Sequence, residues 1–138
     1  MDEELQIDYV EQPEWQVIGG GIRDHNIEQA GPDHHQNLCF VVRGADQEIV
    51  AGVIGATHWQ WLHLDLLWVK EELRQRGYGR RLVELAEEEA RKRGAQNVYL
   101  DTFSFQALEF YKKCGYHVFG ELRDFPPGHQ RYYMTKRL

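Results

Sequence analysis

Between Trp61 and Phe103 the hydrophobic period changes twice, and this constrains the fold more than any other feature of the chain. Trp61 to Val69 alternates as a strand rich in large apolar groups. Gly79 to Arg93 then carries Leu82, Leu85, Ala86 and Ala90 on one helical stripe with a Glu-rich face opposite, and Asn97 to Phe103 reads as a strand again. Arg91, Lys92 and Arg93 suit the negative pole of that helix, and Gly94 is a natural stop. Two strands joined through a helix run parallel with a right-handed crossover. The centre of the fold is therefore a βαβ unit.

The segments around it carry shorter punctuation. Leu38 to Arg43 and Glu48 to His58 form a hairpin about the turn Gly44–Gln47, an antiparallel signal. Residues 105–113 are predicted as a short helix with Ala107, Phe110, Tyr111 and Cys114 on one face, ended by Gly115. Tyr116 to Leu122 and His129 to Lys136 follow as strands around the turn Phe125-Pro126-Pro127-Gly128. Residues 13–30 read as an irregular helical region around Gly19 to Gly21, stopped at Gly31-Pro32. The expected architecture is α+β, a mostly antiparallel sheet with one parallel step. With 138 residues and no linker or repeat, a single domain spanning 1–138 is expected.

Charge and composition exclude several functions. Twenty-two acidic residues against sixteen Lys and Arg give a net charge of −6, the wrong sign for a general nucleic-acid binder. The longest apolar runs, Ile49–Ala56 and Leu64–Val69, fall far short of the roughly 20 residues that span a bilayer. The start, Met1-Asp2-Glu3-Glu4, shows no cationic segment of a secretory signal, so a cytoplasmic protein is expected. Cys39 and Cys114 make neither a disulfide framework nor a metal site. His25, His34, His35, His58, His117 and His129 show no ligand spacing, and no metal is expected. Glu87-Glu88-Glu89 is most simply a solvated helix face, and Trp59 and Trp61 are open to three uses: core, dimer contact or substrate wall.

Against that acidic background, Arg74, Arg76, Arg80 and Arg81 crowd around Gly77 and Gly79 at the start of the long helix. A helix N-terminus already carries positive partial charge, so cations there are misplaced unless an anion joins them. Glycines remove side chains where backbone N–H groups must approach a ligand closely. Together these features describe a phosphate cradle. It is not a P-loop, because the chain has no Gly-Lys dipeptide, nor a dinucleotide fingerprint, because Leu82 stands where the third glycine would be.

Alternation places His63, Asp65, Leu67 and Val69 on one face of the Trp61–Val69 strand, and Leu62, Leu64, Leu66 and Trp68 on the other. A bulge in this strand would break that assignment.

Arg74-Gln75-Arg76-Gly77-Tyr78-Gly79 resembles the [QR]-x-x-G-x-[GA] signature of the Gcn5-related N-acetyltransferase superfamily. Downstream, Ala107-Leu108-Glu109-Phe110-Tyr111-Lys112-Lys113-Cys114-Gly115-Tyr116 is similar to that superfamily's A-x-x-F-Y-x-K-x-G-[FY] motif. The resemblance runs from Leu38 to Leu138, and Phe103-Ser104-Phe105-Gln106-Ala107 with Pro127-Gly128-His129 resemble a subgroup of small bacterial members of unassigned substrate.

The resemblance implies acetyl-CoA as cosubstrate and a small-molecule or peptide amine as acceptor. Arg74, Gln75, Arg76, Gly77, Tyr78, Gly79 and Arg80 would hold its pyrophosphate. The Leu62–Val69 strand would splay from Asn97–Phe103, and backbone groups of Leu67 and Val69 would pair with the pantetheine arm. Where the family often has Asn, this chain has Ser104, and Ser104 with Gln106 would replace that contact. Tyr111 would protonate the departing thiolate. His63, fourteen residues before Gly77, is the first choice of base, with Asp65 as its orienter or an alternative. The rival readings are a CoA-binding module without turnover and a phosphate-binding interaction domain. A homodimer is left open.

Overall fold

The computed structural model describes residues 4–138, in two compact units divided between Asp33 and His34. The first contains α1 (Trp15–Ala30), which runs unbroken through Gly19–Gly21 where the sequence predicts irregularity, and none of its residues is buried. The helix closes with Gly31 at φ +80°, its N–H donating to Ile27 O at 2.8 Å.

The second unit is a six-stranded sheet in the order β1-β2-β3-β4-β6-β5, formed by β1 (Gln36–Arg43), β2 (Ile49–His58), β3 (Trp61–Val69), β4 (Asn97–Phe103), β5 (His117–Arg123) and β6 (Gln130–Arg137). All neighbours pair antiparallel except β3 and β4. That parallel step is bridged by α2 (Tyr78–Lys92), and α3 (Leu108–Lys113) follows β4. The α+β expectation and its βαβ centre therefore hold. Among the described residues no helix is long and apolar enough to cross a membrane.

The core lies between the sheet and α2. Leu82, Val83, Ala86 and Ala90 bury against Leu62, Leu64, Val98, Leu100 and Met134, none more than 4% exposed. The stripe is turned slightly from the predicted one, since Val83 is fully inside and Leu85 only half-buried. Rotation in that direction also brings Glu87 inward.

Glu87 therefore corrects the expectation of a solvated glutamate run, being 3% exposed. Its carboxylate accepts the Tyr116 hydroxyl at 2.7 Å and Lys136 Nζ at 3.0 Å, while that ammonium also donates to Cys114 O at 2.9 Å. A buried carboxylate is tolerated only when paired and hydrogen-bonded in this way. The cluster ties α2 to the segment that follows α3.

Candidate active site

The site arises because β3 and β4 are paired only over their first three residues. Trp61↔Asn97, Leu62↔Val98 and His63↔Tyr99 form the ladder, and beyond His63 the strands part. A cleft of about 760 Å³ opens there, between the end of β3, the start of α2, the loop after β4 and α3.

The strand that forms one wall is bulged. Gly55 pairs with Leu64 and Ile54 with Leu66, so Asp65 has no residue opposite it on β2. Gly55 permits this close approach, because a Cβ there would fall 2.6 Å from His63 O. The bulge overturns the predicted strand faces. Leu62 and Leu64 are buried, but Leu66 is 61% exposed and Trp68 51%, while Leu67 and Val69 pack on the core. His63 and Leu67 therefore do not share a face.

Register also fixes where the backbone of the wall points. Lys70 N donates to Val50 O at 2.9 Å, which makes that pair a hydrogen-bonded one in the β2–β3 ladder. Alternation then makes Ala51↔Val69 and Val53↔Leu67 non-bonded pairs, whose N–H and C=O groups face away from β2. Leu67 and Val69 thus turn their backbone toward the gap. The Val69 carbonyl already accepts Arg74 Nε at 2.9 Å, so part of the Arg74 guanidinium is committed to the strand end.

At the other end of that loop, Gly77 is the N-cap of α2 at φ +87°, a conformation that disfavours any side chain, and no side chain caps the helix. The first N–H groups of α2 are left for a ligand at the cleft. Gly79 has a different reason: a Cβ would sit 3.3 Å from Phe110 Cζ, so it lets α3 approach the helix start. The expected excess of positive charge is partly offset, as Arg80 pairs with Glu84 at 3.3 Å and Arg81 with Glu88 at 3.4 Å. Both pairs are exposed and weak.

Asp65, Leu67, Val69, Arg74, Gln75, Gly77, Tyr78, Gly79, Arg80, Gln106 and Tyr111 all line the cleft. Three predicted residues do not. Arg76 is exposed outside the lining. Ser104 lengthens the β4–β6 ladder, its N donating to Gln130 O at 2.8 Å and its Oγ accepting from Gln130 N at 3.1 Å, so its side chain is spent on the sheet. His63 stacks flat on Tyr99, with ring centroids 4.6 Å apart, in the paired half of the strands. The bulge lies one residue too late to carry it into the gap.

Gln106 lines the cleft, but its Oε1 accepts from Phe103 N at 2.8 Å, leaving its amide NH₂ for any ligand. Tyr111 is 8% exposed. Burial, with smaller contributions from the charges of Cys114 and Asp101, pushes its phenol up to about 12. Asp101, Thr102, Phe105 and Phe110 also line the cleft, and none of them was given a site role from the sequence. Tyr99, Asp101 and Phe103 alternate with buried Val98, Leu100 and Thr102, a pattern that signals a two-faced strand without saying what the second face does.

The sequence model of the acetyltransferase (GNAT) family matches residues 4–116, and the chain belongs to that family. It is 40% identical over 96 residues to a blasticidin-S acetyltransferase of Streptomyces morookaense, covering 69% of this chain and 71% of that one. An acetyltransferase of Agrobacterium fabrum is 34% identical over 114 residues, covering 83% of each chain. The crystal structure of an acetyltransferase from Bacillus cereus superposes with a TM-score of 0.90 at 34% identity, over 97% of this chain and 98% of that one. The protein is an N-acetyltransferase with acetyl-CoA as cosubstrate.

Proposed function

We propose that this enzyme moves an acetyl group directly from acetyl-CoA to a primary amine within a ternary complex, and that residues 1–138 act as one such domain. The observation that carries the reading is the cleft at the parting of β3 and β4, which has Tyr111 in one wall and the uncapped start of α2 at its edge. The pantetheine arm would lie along the outward backbone of Leu67 and Val69 as an added strand does. Its pyrophosphate would meet the amides from Gly77 onward, with Arg74, Gln75 and Arg80 beside it.

In the transfer, the amine nitrogen bonds to the thioester carbon, the C–S bond breaks, and the sulfur takes the proton of the Tyr111 hydroxyl. A phenol at about 12 keeps its proton at any working pH. It is a weak acid there, but burial that raises a phenol raises a thiol too, so a thiolate forming against the same buried wall is raised with it. The nitrogen must also lose a proton, and Asp65 is the base we favour, directly or through water. It lines the cleft whereas His63 does not. Gly77 and the helix pole contribute by positioning the thioester.

The acceptor is a small-molecule or peptide amine, and the blasticidin-S acetyltransferase relative makes blasticidin S the first one to try. Thioester loss from acetyl-CoA should be followed with blasticidin S, spermidine, an aminoglycoside and a lysine peptide, beside calorimetry of acetyl-CoA alone. Amine-dependent thiol release with acetylated amine as product supports transfer. Binding of acetyl-CoA with no acceptor turning over leaves a CoA-binding module.

A further inference from the structure

Asp101 is the one carboxylate of the cleft whose surroundings are built around it. The last rung between β3 and β4 is His63↔Tyr99, so Asp101 is the first residue of its face beyond the point where the strands part. It lines the cleft together with Tyr111, close enough for its charge to act on that phenol. Its own position is held by Arg131, which sits on the neighbouring β6, where Tyr133 is the rung partner of Asp101 and Arg131 that of Phe103.

The manner of that hold is informative. Arg131 Nε and a terminal guanidinium nitrogen each lie 2.7 Å from the same carboxylate oxygen, Oδ2. In a parallel fork, two guanidinium nitrogens would occupy both carboxylate oxygens. Here Nε donates to Oδ2, the terminal nitrogen also lies against Oδ2, and among the described residues no hydrogen bond to Oδ1 is formed. The guanidinium itself lies over the rings of Phe103, Phe125 and Tyr133 at 5.3, 5.0 and 5.4 Å, which fixes its plane and hence the carboxylate. Phe105, more than half exposed, lines the same cleft and stacks on Phe103. A fixed anion with one oxygen unused, next to an exposed aromatic face, is an environment for a cation.

We propose that Asp101 Oδ1 binds the reacting amine as its ammonium, with Phe105 as the apolar flank of that subsite and Arg131 as the positioning residue. This rests on the acetyl-transfer reading for the place of the thioester, but not for the binding itself. The enzyme then selects amines charged on arrival over neutral isosteres of the same shape. Proton loss follows within the ternary complex by the route given above.

The test is calorimetric binding of blasticidin S, spermidine and an aminoglycoside to the CoA-loaded enzyme, run beside the transfer assay. Asp101→Asn should weaken the amine that binds best by about tenfold or more, and raise its KM alike, while acetyl-CoA affinity stays within about twofold. Arg131→Gln should weaken the amine about threefold to tenfold, with partial recovery in Arg131→Lys, because it acts only through the carboxylate. If Asp101→Asn does not fold, the wild-type enzyme decides: amine affinity must fall as pH rises through the amine's own ionisation. Unchanged amine affinity in Asp101→Asn, an equal loss of acetyl-CoA affinity, pH-independent amine binding, or no probe amine binding the CoA-loaded enzyme each overturns the proposal. Amine binding without transfer would sink the acetyl-transfer reading and leave the ammonium site standing.

Discussion

The two halves of the β3–β4 pair differ in everything except strand type. In the first half, Trp61 to His63 are bonded to Asn97 to Tyr99, and the side chains fill the space: His63 stacks on Tyr99, and the Tyr99 hydroxyl meets His58 Nε2 at 3.1 Å. In the second half the same two strands have no rungs, and the space between them is the cleft. Closure of the gap would bury the backbone groups of Leu67 and Val69 against β4, and the fold forgoes those bonds. A strand edge left open within a protein core is a binding surface.

The largest expected effect comes from removing the proton donor of the open half. Tyr111→Phe keeps the ring and its edge contacts with Phe110 and Tyr116, so acetyl-CoA affinity should hold while kcat falls by about 10²-fold to 10⁴-fold. The same residue carries a stability signature. Its folded phenol titrates near 12 against about 10 unfolded, so its contribution is complete below about pH 10 and is lost as pH rises toward 12. Tyr116, raised by burial and by its bond to Glu87, acts in the same direction. Urea titrations should therefore show stability falling above about pH 10, and Tyr111→Phe should reduce that slope; equal slopes would place Tyr111 outside the buried wall.

Next in size is the hinge between the halves. Gly55→Ala puts a methyl group against His63 O, forcing the bulge to move, with a loss of about 2–3 kcal/mol in denaturant unfolding and impaired turnover. A stable, active Gly55→Ala protein would show that the bulge does not shape the cleft. Gly77→Ala acts only at the open end. It strains a position at φ +87° by about 1–2 kcal/mol and should weaken acetyl-CoA about tenfold in calorimetry without preventing folding. Gly79 is a poorer probe because a side chain there also strikes Phe110.

The smallest effect belongs to the closed half. His63→Ala should change kcat within about threefold and leave the acidic limb of the kcat/KM profile in place, whereas Asp65→Asn should remove that limb. The opposite pair of results would put the base on the stacked side of the strand.

Much of this division was legible in the sequence. The strand, helix and strand periods from Trp61 to Phe103 gave the parallel step, the glycines and arginines at the helix start gave the cradle, and the open end followed only from the resemblance to the acetyltransferase superfamily. The bulge was not placed from β3 alone, since His63 and Asp65 alternate with Leu62, Leu64 and Leu66, and the continuous apolar run Leu66–Val69 that follows fits either face. The signal lay in the partner strand, where Gly55 interrupts a β-rich run. Glu87 was misread because a triple glutamate looks solvated until Tyr116 and Lys136, far along the chain, are folded against it. Ser104 and Asp101 have the same lesson, as their partners Gln130 and Arg131 come from β6.

The direct test is amide hydrogen exchange at single-residue resolution with and without acetyl-CoA. If the cosubstrate completes the open edge, Leu67 and Val69 should gain protection, while the amides at the His63↔Tyr99 rung stay as they were. Full binding of acetyl-CoA with no change at Leu67 and Val69 would contradict the account.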